Sequence, residues 1–154
     1  MADPGKRRPV PTPPPGVLND DHRFAAWAAE AAGAVLLELR GSGLAGKELK
    51  DAGDLASHEL LMELLATYAP GDAVLSEEGH RGTVGRHDRH TSRRVWIIDP
   101  VDGTREYSEP PRDDWAVHVA LWQDGELAAG AVAQPALGRT FHTGAPGAAP
   151  GPAS

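Results

Sequence analysis

The chain has 154 residues, a net charge of −7 and no cysteine, which bounds it to about one domain. The acidic balance excludes a nucleic acid polymer as the main partner, because binding a phosphate backbone needs a basic footprint. The missing cysteines remove disulfides, thiolate metal sites and cysteine nucleophiles together, and fit a reducing cytoplasm.

In chain order, residues 4–16 read PGKRRPVPTPPPG. That composition predicts a solvated polyproline-type arm over residues 1–18. Lys6, Arg7 and Arg8 are followed by no apolar segment, which makes a poor secretion signal. No stretch approaches the roughly 18 apolar residues of a membrane span. Asn19, Asp20 and Asp21 are helix-capping residues. Behind them Phe24, Trp27, Ala28, Ala31, Val35 and Leu39 recur at three- and four-residue steps, which predicts an amphipathic helix over about 20–40. Gly41, Gly43 and Gly46 are read as its end. A second helix is expected over 54–68, with Leu60, Leu61, Leu64, Leu65 and Tyr68 on its apolar face and Pro70-Gly71 behind it.

The period then changes to that of strands. Residues 73–76 and 94–98 are strand candidates, separated by the polar stretch GHRGTVGRHDRHTSR at 79–93, which reads as a surface loop. His80, His87 and His90 belong to that loop. A metal pair from His87 and His90 is disfavoured, since no further ligands follow at suitable spacing. Residues 115–122 are apolar at both alternating sets of positions, so a strand covered on both faces is expected there. Asp124-Gly125 signals a hairpin, returning through 126–134 to Pro135, with a last short strand over 139–142. The tail 143–154, TGAPGAAPGPAS, has almost no side chains for a core. Two helices followed by a run of strands predict an α+β fold, helices packed on a mainly antiparallel sheet, with residues 19–142 as the folded part. The four tryptophans are expected in the core. His58 and His118 are expected to be packed or hydrogen-bonded rather than catalytic, and Arg105, Arg112 and Arg139 to be solvated rather than phosphate-binding.

Acidic residues gather where strands end: Glu77 and Glu78 after the first, Asp99 and Asp102 after the second, with Asp54 at the expected start of the second helix. If the two strands are neighbours, Glu77, Asp99 and Asp102 can converge. Three clustered carboxylates are tolerable mainly around a divalent cation, and hard oxygen donors favour Mg²⁺, Mn²⁺ or Ca²⁺ over zinc. Pro100 restricts the spacer, Val101 could offer its carbonyl, Gly103 permits close approach of a ligand, and Thr104 adds a hydroxyl and an N–H. Metal-assisted attack of water on a phosphate ester follows from such a set. Taken alone, D-x-x-D-G-T also fits an ordinary surface turn, and Glu77-Glu78 a solvated loop.

S-E-E-G at 76–79 followed by W-I-I-D-P-V-D-G-T at 96–104 resembles the inositol monophosphatase superfamily of Mg²⁺-dependent, lithium-sensitive phosphatases. G-D-L-A-S-H at 53–58, T-R-E-Y-S-E at 104–109 and R-D-D-W-A-V-H-V-A-L-W at 112–122 resemble its CysQ-type branch, the 3′(2′),5′-bisphosphate nucleotidases of sulfur metabolism. The resemblance covers roughly residues 20–142. It implies the first half of a layered α/β sandwich. It also implies metal ligation by Glu77, Asp99, Asp102 and the Val101 carbonyl, phosphate binding by Gly103 and Thr104, and water activation by Glu77 and Thr104, the latter oriented by Asp54. Glu78 stands at most outside the ligand set. The implied substrate is a phosphorylated small molecule: 3′-phosphoadenosine 5′-phosphate first, an inositol or sugar phosphate second. A cytoplasmic enzyme is implied, with no membrane partner and with a homo-oligomer left open. The family's further aspartate, in a W-D-x-A-like motif downstream, has no counterpart here. The expectation is therefore an N-terminal piece of the family domain, with a truncated, non-catalytic homologue as a further alternative.

Overall fold

The fold is described here from a computed structural model over residues 9–76, 82–83 and 93–144. Helix α1 (Asp21–Arg40) starts where Asp20 caps it, the carboxylate accepting from the backbone N–H groups of His22 and Arg23. Its buried side is built largely of alanines, Ala25, Ala28, Ala29 and Ala32, between Phe24 and Leu36. Small side chains let the helix lie close to the sheet beneath it. Helix α2 (Gly46–Tyr68) begins eight residues before the expected start at 54. Gly46, read from the sequence as part of a helix stop, opens it. Leu49 and Gly53 extend the buried stripe toward the N-terminus, and Lys47 pairs with Asp51 one turn on. Asp54 therefore lies inside α2 rather than at its start.

The strands form one sheet: β1 (Ala73–Ser76), β2 (Gly82–Thr83), β3 (Arg94–Asp102), β4 (Ala116–Gln123), β5 (Glu126–Gln134) and β6 (Arg139–His142), in the order β2-β1-β3-β4-β5-β6. Only the β1–β3 pair is parallel, so the mainly antiparallel α+β expectation holds. The hairpin at Asp124-Gly125 is built as its sequence predicts, with φ of 54° and 84° at its two residues. Helix α3 (Thr104–Tyr107) is a single turn following β3.

Three further expectations need correction. The second acidic strand runs to Asp102 instead of ending at Ile98, so the carboxylates lie within β3, at a break in its register. Strand β4 is not covered on both faces among the described residues: Val117, Val119 and Leu121 are buried, whereas Trp122 on the opposite face is 39% exposed and outside the core. The Pro-rich stretch is not all solvated arm either. Residues 1–8 are outside the described range, but beyond them the chain touches the domain at Val10, Pro11 and Val17, while Pro9, Thr12, Pro14 and Pro15 stay exposed. Val10 touches the core, Val17 is buried, and the Tyr68 hydroxyl donates to the Pro11 carbonyl at 2.8 Å. Val10 and Val17, with the Pro11 carbonyl, supply contacts that composition alone concealed. No helix among the described residues is long and apolar enough to cross a membrane.

Candidate active site

Strand β3 lies between β1 and β4, and its C-terminal end carries Asp99, Pro100, Val101 and Asp102. In a regular strand, residues three apart point to opposite faces. Here Asp99 pairs with His118 and Asp102 with Ala116, so three steps on β3 are matched by two on β4. The extra residue is a bulge. Since His118 and Ala116 share a face of β4, so do Asp99 and Asp102. The spacing that looks wrong for a strand is what brings both carboxylates to one side.

His118 joins them. Its Nε2 lies 2.8 Å from Asp102 Oδ2, and one ligand atom each from Asp99, Asp102 and His118 all fall within 4.8 Å of one another. Two carboxylates and an imidazole suit a divalent cation. Asp99 is half-buried and Asp102 exposed. The bulge is held from behind by α2, where the buried Ser57 hydroxyl donates to the Pro100 carbonyl at 2.8 Å. Val101 is buried.

Gly103 then turns the chain with φ of +87°, a conformation that favours glycine. A Cβ there would also stand only 3.0 Å from the Asp114 carbonyl oxygen. The turn delivers Thr104, half-buried, to the first position of α3. Helix α3 is anchored on α1: the Arg40 Nε and Nη2 donate to the carbonyls of Tyr107 and Glu106 at 2.9 and 3.1 Å, and the Tyr107 hydroxyl donates to the Leu36 carbonyl at 2.7 Å. The guanidinium also lies over the rings of Tyr107 and Trp115, which meet edge to face. Gly53 makes room for the Tyr107 ring, which a Cβ at that position would overlap. Asp54, next along α2, acts on the same tyrosine through its charge.

The structure thus gathers Asp99, Asp102 and Thr104 around one turn, with α2 packed against it. Glu77 and Glu78 lie outside the described residues, as do His80, His87 and His90. Ser76, the residue before Glu77, pairs with Ile98, the residue before Asp99, and the expected neighbourhood of the two strands is correct. His58 Nδ1 sits 3.1 Å from Ser76 Oγ, a hydrogen-bonded histidine as expected. Arg105 pairs with Glu109, and Arg112 with Glu109 and Asp114. Arg139 donates to Gln134. Sequence reading missed His118 as a member of the acidic group. Its one signal was a polar residue in an otherwise apolar strand.

The family model described as "Inositol monophosphatase family" matches residues 21–148. The chain belongs to that family. A 3′-phosphoadenosine 5′-phosphate phosphatase of Mycobacterium leprae is 48% identical over 133 residues, covering 79% of this chain and 48% of the relative. One from Mycobacterium tuberculosis (strain CDC 1551 / Oshkosh) is 50% identical over 110 residues, covering 66% and 40%. The chain therefore spans about half the length, or less, of these curated relatives. Among solved structures, the inositol monophosphatase of Anabaena (Nostoc) sp. PCC 7120 superposes with a TM-score of 0.64 at 30% identity, covering 81% of this chain and 44% of that one. Mycobacterium tuberculosis SuhB gives 0.64 at 25% identity, covering 82% and 45%.

Proposed function

We propose that this chain carries the metal-binding and phosphate-binding half of a Mg²⁺-dependent phosphomonoesterase whose substrate is 3′-phosphoadenosine 5′-phosphate, cleaved to AMP and phosphate in the cytoplasm. The observation that carries the reading is the bulge at the end of β3, which turns Asp99 and Asp102 to one face beside Gly103-Thr104. The nucleotide preference draws support from the two mycobacterial relatives, both named for that substrate.

The donor set fits the metal: clustered carboxylates next to a buried carbonyl-bearing turn are the hard ligands that Mg²⁺ prefers. Asp99, Asp102, the Val101 carbonyl and Glu77 are the residues that would hold it, and a bound cation would offset phosphate charge and acidify water. The chain's own groups do the rest. The Gly103 and Thr104 N–H groups and the Thr104 hydroxyl bind phosphate oxygens. Asp54 orients the Thr104 hydroxyl, Thr104 with Glu77 holds the attacking water, and the Glu77 carboxylate takes up its proton. The clamp of Arg40 and Tyr107 on α3 keeps Thr104 in register with the aspartates. An inositol or sugar phosphate is the second reading, favoured by the fold match to inositol monophosphatases.

Phosphate release by this chain from 3′-phosphoadenosine 5′-phosphate and from inositol 1-phosphate, with and without Mg²⁺, tests both. Mg²⁺-dependent release with the nucleotide preferred is expected. Asp102→Asn should lower it by at least about 100-fold, since it removes a metal-binding charge. Release that ignores Mg²⁺, or an Asp102→Asn variant as active as the parent, would overturn the assignment. Preference for the inositol ester would move the substrate to the second reading.

A further inference from the structure

We propose that His118 is a positioning residue for Asp102, fixing the carboxylate so that its remaining lone pairs face the cation; the inference rests on the metal reading above. Asp102 is the most exposed member of the group, its side chain 59% accessible. A short acidic side chain so open to water has no packing to select one rotamer. The hydrogen bond from His118 supplies what packing does not. A carboxylate can only accept, so His118 Nε2–H donates to Oδ2 across 2.8 Å. That occupies one lone pair of Oδ2 and leaves Oδ1 unclaimed by the imidazole.

The backbone fixes this pairing at two points. His118 sits directly across from Asp99 in the β3–β4 register, and the bulge carries Asp102 back to the same face. The strand that carries the imidazole is braced, because Val117 and Val119 are 0% and 1% exposed and hold β4 in place from the opposite face, while the His118 side chain is 38% exposed. A carboxylate oriented by a histidine from the adjacent strand is the counterpart of the outer partners that orient metal ligands generally, whose loss costs about 10–100-fold in metal affinity.

Mn²⁺ serves as the probe, because free hexaaqua Mn²⁺ is read by its electron paramagnetic resonance signal without any turnover. Titrations of the 154-residue chain, His118→Ala and His118→Gln are compared, each checked by circular dichroism for the parental fold. His118→Ala should weaken Mn²⁺ by about 10–100-fold. His118→Gln, whose amide donates from nearly the position of Nε2, should restore affinity to within a few-fold. Equal binding by the alanine variant would overturn this inference alone, as would failure of glutamine to rescue a folded site. A ¹⁴N coupling to bound Mn²⁺ that disappears in His118→Ala would make the imidazole a direct ligand and equally overturn the positioning role. If the parent chain binds no Mn²⁺, the metal reading falls and this inference with it.

Discussion

Tyr107 holds its ring at zero exposure between Gly53, Leu36 and Trp115, and its hydroxyl on the Leu36 carbonyl. Burial disfavours the phenolate and pushes the group up to about 12; the charge of Asp54 adds to the rise, while that of Arg40 opposes it. The consequence for stability has a definite sign. Between pH 10 and 12 the unfolded chain has released this proton and the folded chain has not, so stability falls as pH rises. The contribution is complete below pH 10, and a two-unit difference is worth about 2–3 kcal/mol once the pH passes 12. Urea unfolding of the parent and Tyr107→Phe across pH 8 to 12 separates this group from other alkaline titrations. The phenylalanine variant should be weaker by about 1 kcal/mol at pH 8, for want of one hydrogen bond. The gap should close as pH rises above 10 and reverse by about pH 12, because the parent's loss of about 2 kcal/mol exceeds that advantage. A gap that stays constant would show that Tyr107 does not hold its proton as described.

One turn of α2 braces both strands that lead to the candidate site: Ser57 donates to Pro100 on β3, and His58 meets Ser76 on β1. The Pro100 carbonyl lies where the β3–β4 ladder breaks, so the serine hydroxyl takes the place of a cross-strand donor. Ser57→Ala should cost about 1–3 kcal/mol, the usual penalty for stranding a buried acceptor. A urea midpoint unchanged from the parent would mean that another donor serves the bulge. Elements of this kind were only partly legible in the sequence. The periodicity of Phe24 through Leu39 and the Asp124-Gly125 turn are local signals, and both gave the right element. The start of α2 was hidden because Gly46, with φ of +57°, looks like a stop signal while the Leu49 stripe behind it is short. The bulge and the partnership of His118 with Asp102 depend on the register between two strands, which no local window of residues encodes.

At the scale of the molecule, α1 and α2 lie on the face of the sheet that buries Val117, Val119 and Leu121. Alternation in β4 could not distinguish this one covered face from two, because Ala120 and Trp122 on the other face are apolar as well. The end of the sheet remote from the acidic group is tied together by one guanidinium. Arg94 opens β3 and donates to Asp21 at the start of α1, to Asp72 ahead of β1 and to Gln123 at the end of β4. Trp96 Nε1 adds a bond to the same Asp72 at 2.8 Å. Bonding to Asp21 first, and then to Asp72, holds the Arg94 pKa above its ordinary value despite partial burial. Four segments far apart in sequence thus converge on a planar fork that a point charge cannot copy. Arg94→Met takes the charge partner from two carboxylates, of which Asp72 keeps its bond from Trp96, and should lower stability by about 2–3 kcal/mol, less than a fully buried network would lose, since the side chain is 33% exposed. Arg94→Lys should recover only a minor part of that loss. Both changes should shift the urea midpoint without altering the slope, because the surface exposed on unfolding stays the same. Five residue steps of extended strand, about 17 Å, separate Arg94 from Asp99, so Mn²⁺ binding by either folded variant should match the parent. A midpoint unmoved by Arg94→Met would show that α1 is held to the sheet by its alanine face alone. A loss of Mn²⁺ affinity in a variant that still folds would show instead that strain at one end of β3 reaches the bulge at the other.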